Sequence, residues 1–322
     1  MQYDRLGFPI PREFETPTDP GPSGGTDLDA PGSGRPPAAA RRARGAGPLK
    51  RVFVLVALGL VVAPTLIGPL VVPAVREAVV QWSVERAVGR EARGDAAAAA
   101  TDVARAIDWL GPDADGRCRL LCWRAMLLLE DRQAPAAVAE AGRAATLVPT
   151  ATQPRRVRAL AHVVAGDAAA ALADAEAAVQ LAGGDNPEAL NHRAYIRALV
   201  GRDLEAALAD VEMALAGGSA EAPEFLDTRG YILHLLGRHR EAIDDLNRAI
   251  AATQRSRRDL QARAGRGDRN FVAAGLRSLD HALAVMHQHR GLACRAIGLD
   301  RQAAQDLEQA RRNGFDPSRG VL

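Results

Sequence analysis

The chain has 322 residues, 48% hydrophobic and 25% charged, so it is long enough to bury a sizeable core. Its 41 basic and 39 acidic residues leave a net charge of +2, which argues against a nucleic-acid partner held by bulk electrostatics. Three cysteines leave one unpaired whatever the pairing, so a disulfide framework is excluded.

Residues 1–49 are rich in Pro, Gly and Ser, as in PTDPGPSGGTD and APGSGRPP, and their only aromatics are Tyr3, Phe8 and Phe14. Such a segment cannot bury enough apolar area to offset its ordering entropy, and a disordered tail is expected. The stretch around Phe8–Phe14 is read as plain tail in preference to a short docking motif.

Val52–Val75 carries no charge. A bilayer core needs about 20 apolar residues in a helix, so residues 50–75 are predicted to form one transmembrane helix. Pro64, Pro69 and Pro73 each remove a backbone donor, which membrane helices tolerate better than soluble ones. The long tail before the run and the lack of an Ala-x-Ala site argue against a cleaved signal peptide. Arg41, Arg42, Arg44, Lys50 and Arg51 precede the span, whereas Arg76 and Arg86 beyond it are mixed with Glu77 and Glu85. The positive-inside rule then predicts a single-pass protein with a cytoplasmic tail and extracytoplasmic repeats, on the periplasmic side if bacterial.

Residues 76–322 are helical in pattern and repetitive. RAYIRALVGR with ALADVEMAL is echoed by RGYILHLLGR with AIDDLNRAI, and Arg193–Arg229, Tyr195–Tyr231 and Gly201–Gly237 are each 36 residues apart. A helical repeat of this length, broken by Gly, marks a solenoid of helical hairpins. Each unit has Arg, a small residue, a turn Gly, Ala, an acid three residues on, and a second Ala. These are Arg193, Ala194, Gly201, Ala207, Asp210 and Ala214 in unit four, and Arg229, Gly230, Gly237, Ala242, Asp245 and Ala249 in unit five. Unit six has Arg290, Gly291, Gly298, Ala303, Asp306 and Ala310, and unit three Arg158, Ala159, Gly166, Ala171, Asp174 and Ala178. Fainter copies start at Arg124 and Arg86, and unit four carries one extra residue after its Gly.

Small residues at a helix crossing let two helices approach to the short end of the usual 8–10 Å range. Arg and acid lie about equally far from the turn, so they should meet across the hairpin as a forked pair. The predicted pairs are Arg193–Asp210, Arg229–Asp245 and Arg290–Asp306.

This pattern resembles the tetratricopeptide repeat (TPR) family over about Val80–Pro317. The resemblance rests on the small residue of the first helix, the turn Gly and the two Ala of the second helix. The family's aromatics are mostly replaced by Ala, Val or Leu, and its closing Pro is clear only at Pro149. The resemblance implies an all-α solenoid that binds a protein or peptide.

Between units five and six the spacing grows to 61 residues, Arg229 to Arg290, through QRSRRDLQARAGRGDRN. This insertion, at about 252–270, is read as an extended helix end, a turn near Gly265–Gly267 and a new helix from about Phe271. It holds Arg255, Arg257, Arg258, Arg263, Arg266 and Arg269, interrupted by Asp259 and Asp268 with no interleaved aromatics. A solvated loop is the favoured reading. The alternative is a binder of nucleic acid or another acidic ligand acting through this insertion.

Stacked hairpins build a binding face from their first helices. Register with the Arg column places Arg156, Asn191, Tyr195, Asp227, Tyr231, His234, Gln288 and Arg295 on that face. Tyr195 and Tyr231 hold the same place in adjacent units and are the expected anchors; tyrosines packed between hairpins are the competing reading. Some TPR proteins clamp a peptide carboxylate with Lys and Asn, but here only Asn191 and Arg156 are partly similar, so no chaperone-tail receptor is expected.

Cys118 and Cys122 lie one helical turn apart without further ligands and read as small core residues. His281, His287 and His289 are expected at the surface or an interface, with His287 and His289 on different faces of a helix. No nucleophile elbow, phosphate loop, zinc-protease or dinucleotide motif occurs, so no enzyme, metal, cofactor or small-molecule substrate is expected. The sequence thus reads as a membrane-anchored, TPR-like, non-catalytic scaffold or assembly factor for a protein or peptide.

Overall fold

Alanine-rich segments punctuated by Gly favour short helices with close contacts, and that is how the chain folds. The computed structural model describes residues 71–263 and 269–315, and among them there are only helices and turns. The chain divides into two compact units, Ile10–Val75 and one holding Arg76–Leu322. Of the former, residues 71–75 are described, and they are helical. The expected tail and most of the expected membrane span lie outside the described residues. No described helix is long and apolar enough to cross a membrane.

The described helices pair in chain order. α1 (71–91) pairs with α2 (Ala96–Trp109), α3 (Ala114–Glu130) with α4 (Ala134–Leu147), and α5 (Thr152–Val164) with α6 (Ala168–Leu181). α7 (Pro187–Val200) follows with α8 (Leu204–Gly217), α9 (Pro223–Leu235) with α10 (His239–Arg263), and α11 (Arg269–Ala296) with α12 (Asp300–Arg312). Asp95, Asp113, Asp167 and Asn186 cap α2, α3, α6 and α7 by accepting from a backbone N–H three residues on.

Five hairpins turn on a left-handed Gly: Gly94, Gly166, Gly201, Gly237 and Gly298, with φ between 65° and 82°. In the second hairpin Arg132 stands at this place with φ 62°. The extra residue of unit four is absorbed by a second left-handed residue, Asp203, at φ 52°.

At each crossing the small residue is fully buried: Ala87, Ala125, Ala159 and Ala194 each have no exposed surface. At Gly230 even a methyl group does not fit, since a Cβ would lie 2.8 Å from Leu246 Cγ and 3.2 Å from the Ala242 carbonyl oxygen. Among the described residues the buried side chains form three clusters, one including Ala87 to Ile196, the next Val179 to Ala293, and a small one of Ala284, Val285, Ala310 and Phe315.

First helices also touch the next first helix: α3 meets α5, α5 meets α7, α7 meets α9 and α9 meets α11. The described second helices make no comparable approach to one another. The first helices therefore line the inner side of the array. α10 and α11, at 25 and 28 residues, carry the Arg-rich insertion as two helices packed on each other. The turn expected near Gly265–Gly267 lies outside the described residues, and α11 starts at Arg269, slightly before the expected Phe271.

Candidate functional site: the inner face of units four to six

Two sets of polar groups need separate accounts, and the first is structural. Arg193 Nε and Nη2 each donate to the Asp210 carboxylate at 2.7 Å, and Nη1 donates to Glu176 at 2.7 Å. Arg229 forks onto Asp245 at 2.6 and 2.7 Å, and Arg290 onto Asp306 at 2.9 and 2.5 Å. Arg158 forks onto Asp174, Arg124 meets Glu140, and Asp102 is ringed by Arg86, Arg90 and Arg105. The six acids are buried and the arginines partly so. Hydrogen bonds to these carboxylates raise the guanidinium pKa of Arg158, Arg193 and Arg229. Burial alone would raise the Asp306 carboxyl, but hydrogen bonds from His287 and Arg290 outweigh it and hold the pKa below the usual range.

The second set lies on the inner face. Arg156 on α5, Asn191 and Tyr195 on α7, Tyr231 and His234 on α9, and Gln288 on α11 are half-buried; Asp227 is buried and Arg295 exposed. The structure brings Asp227 and Tyr231 together around a residue absent from the expected face. His289 Nδ1 is 2.9 Å from the Asp227 carboxylate, and its ring stacks on Tyr231 with centroids 4.2 Å apart. Burial, then the charge of Asp227, raises the hydroxyl pKa of both Tyr195 and Tyr231. His234 turns toward the hairpin turn, its Nδ1 3.1 Å from that of His239. Gln288 and Arg295 form no side-chain hydrogen bond or ion pair among the described residues.

The surface or interface placement expected for His287 and His289 is corrected, since both are buried inside the array, 7% and 0% exposed. The reason is that each finds a carboxylate, His287 on α12 at Asp306 and His289 on α9 at Asp227. His281 is half-buried. A sequence signal for His289 existed. His192 and His289 both precede the repeat arginine, and each reaches the residue two before the previous unit's arginine. His192 hydrogen-bonds to the Arg156 backbone and His289 to the Asp227 side chain. Burial, then nearby Arg156, holds the His192 pKa well below its ordinary value, so the ring is neutral.

In the insertion, Arg257 pairs with Asp280, Arg255 lies within electrostatic reach of Glu221, and Arg258 and Arg263 are exposed. Cys118, Cys122 and Cys294 are buried free thiols. No group of three or more His, Cys, Asp or Glu among the described residues has metal-binding geometry.

No family model matches the chain, and no curated protein does. The fold is similar to solved helical-repeat structures. A thermophilic TPR protein of Thermus thermophilus aligns with TM-score 0.47 and 21% identity over 60% of this chain and 98% of that one. A tetratricopeptide repeat protein of Parabacteroides merdae gives 0.43 and 16% over 75% and 95%. A chain of the APC/C hetero-tetramer Cut9–Hcn1 gives 0.48 and 13% over 63% and 35%.

Proposed function

We propose that this chain is a non-catalytic protein-interaction scaffold or assembly factor of the TPR type, held at a membrane by residues 52–75 and capturing a protein or peptide on its inner face. The observation that carries the reading is the contrast between the forked, saturated crossings of units three to six and an inner face that keeps Tyr195, Tyr231, Asp227 and Asn191 at repeating positions. Aromatic groups on a rigid helical face are effective anchors, because little side-chain entropy is lost on contact. The charge-free run Val52–Val75 and the basic residues before it support the anchor and extracytoplasmic repeats.

Affinity capture from membrane extracts, with wild type and the Tyr195→Ala, Tyr231→Ala variant side by side, tests the groove. Loss of a discrete partner from a variant that still unfolds cooperatively is expected; undiminished capture would sink it. A reporter active only outside the cytoplasm, fused after Leu322, tests the orientation. Its silence in a stable, membrane-bound fusion would place the repeats in the cytoplasm.

A further inference from the structure

The chain has three tryptophans, and two of them lie open on the first hairpin. Trp82 on α1 and Trp109 on α2 are 47% and 43% exposed, whereas Trp123 is partly buried and donates its ring N–H to Glu91. The guanidinium groups of Arg86 and Arg105 sit over the Trp82 ring, 4.3 and 5.5 Å from its centre. Arg86 meets Asp102 across the hairpin, so Ala106 lies level with Trp82 and Trp109 level with Val79. Trp109 is thus about 5 Å nearer than Trp82 to the start of α1, on the edge of the array opposite the Gly turns.

That edge stays apolar in the next two units. Trp109, Leu147 and Leu181 each end a second helix, three residues after its second repeat Ala, and all three are exposed. Units four to six hold Gly217, Ala252 and Asn313 at this place, so the row stops after unit three. The Gly-turn edge has exposed aliphatic residues too, Val164, Leu235, Ile297 and Leu299, but in units three, five and six and without a tryptophan. Single exposed apolar residues are ordinary, whereas a row through successive stacked units marks a contact surface. The chain itself indicates what meets the row. Trp82 follows the end of the charge-free run Val52–Val75 by seven residues, which reach at most about 25 Å. Tryptophan favours the boundary between bilayer and water, where its ring is apolar and its N–H is wet, and arginine beside it suits lipid phosphates. Asp108 and Asp115, exposed nearby, suit headgroup level and oppose entry into hydrocarbon.

We propose that this edge of units one to three rests on the surface of the bilayer that holds residues 52–75, with Trp82 and Trp109 at headgroup level; the inference rests on the membrane anchor proposed above. The Gly turns of these units then point away from the lipid. The inner face of units four to six takes no part in the contact and stays open to a partner.

The test uses the full chain in vesicles of phosphatidylcholine and phosphatidylglycerol, with and without lipid brominated at the headgroup end of its acyl chains. Tryptophan emission is read in Trp82→Phe and in Trp82→Phe, Trp109→Phe, and the difference reports Trp109, which lies too far along the chain to be placed by the anchor alone. Brominated lipid is expected to quench that difference. In the double-Phe background it should also quench Leu147→Trp and spare Leu235→Trp, which reports the Gly-turn edge. An unquenched Trp109 in protein that floats with the vesicles overturns the surface contact and leaves the anchor standing. Protein that does not float overturns both. Equal quenching of Leu147→Trp and Leu235→Trp overturns the choice of edge. A Trp109 shielded from aqueous acrylamide yet untouched by brominated lipid would mean that protein covers the row, either the chain's own tail or a second copy, and would overturn the lipid assignment.

Discussion

The hairpin crossings and the inner face use the same residue types to opposite ends. At a crossing, Asp245 is buried and grips both arms of the Arg229 fork, so every strong acceptor there is used. On the inner face, Asp227 is buried beside a histidine whose outer nitrogen is unused, and Glu224 has no cationic partner among the described residues. A buried carboxylate is tolerable only when paired, and a pair fully satisfied inside the fold has nothing left for a partner. In unit five the structural acid is therefore recognised by its complete set of partners.

That comparison breaks most directly with one substitution in each region. Arg229→Ala leaves the buried Asp245 carboxylate with only the longer contact to Arg248, at 3.4 Å, and is expected to cost about 3 kcal/mol of unfolding free energy in urea titration. Glu224→Gln removes a charge that the fold already disfavours, and should leave stability unchanged or slightly higher. Equal losses in the two variants would erase the distinction.

A smaller effect sharpens the role of the inner-face histidines. Burial lowers the pKa of His192 and His234, so the native state refuses protons that the unfolded chain accepts. Their contribution is therefore intact above the ordinary histidine value of 6.5 and is lost as pH falls from there through the lowered native values. Urea midpoints at pH 7.5, 6.0 and 5.0 should fall in order, and His192→Gln should flatten that fall. An identical slope in the variant would remove His192 from this account.

The smallest expected effect concerns the one turn that departs from the others. Arg132 holds the left-handed position taken by Gly in the other five described hairpins. Arg132→Gly should relieve the backbone strain and stabilise by up to about 1 kcal/mol, read as a modest rise in the thermal midpoint. A fall would mean that the Arg132 side chain contributes more than its backbone loses.

Much of the architecture was legible because it is local and repeated. Helical period, a Gly eight residues after the repeat Arg and Ala at matching heights describe a hairpin without knowledge of its neighbours. The same spacing brings Arg193 and Asp210 together despite the inserted residue, since Asp203 takes up the change in the turn. The inner face was legible only as a register. The Tyr195 and Tyr231 stripe can be counted from the sequence, but His289 is 62 residues from Asp227 and joins it across a long insertion.

By itself, then, the sequence determined the class of the protein: a helical repeat built on close Ala and Gly crossings, preceded by a polar segment and a charge-free one. Tertiary structure alone decided which polar groups are spent and which are left over. Within one hairpin, partners are set by distance along the chain. Between hairpins, they depend on how first helices stack, and that packing put His289 rather than an arginine against Asp227.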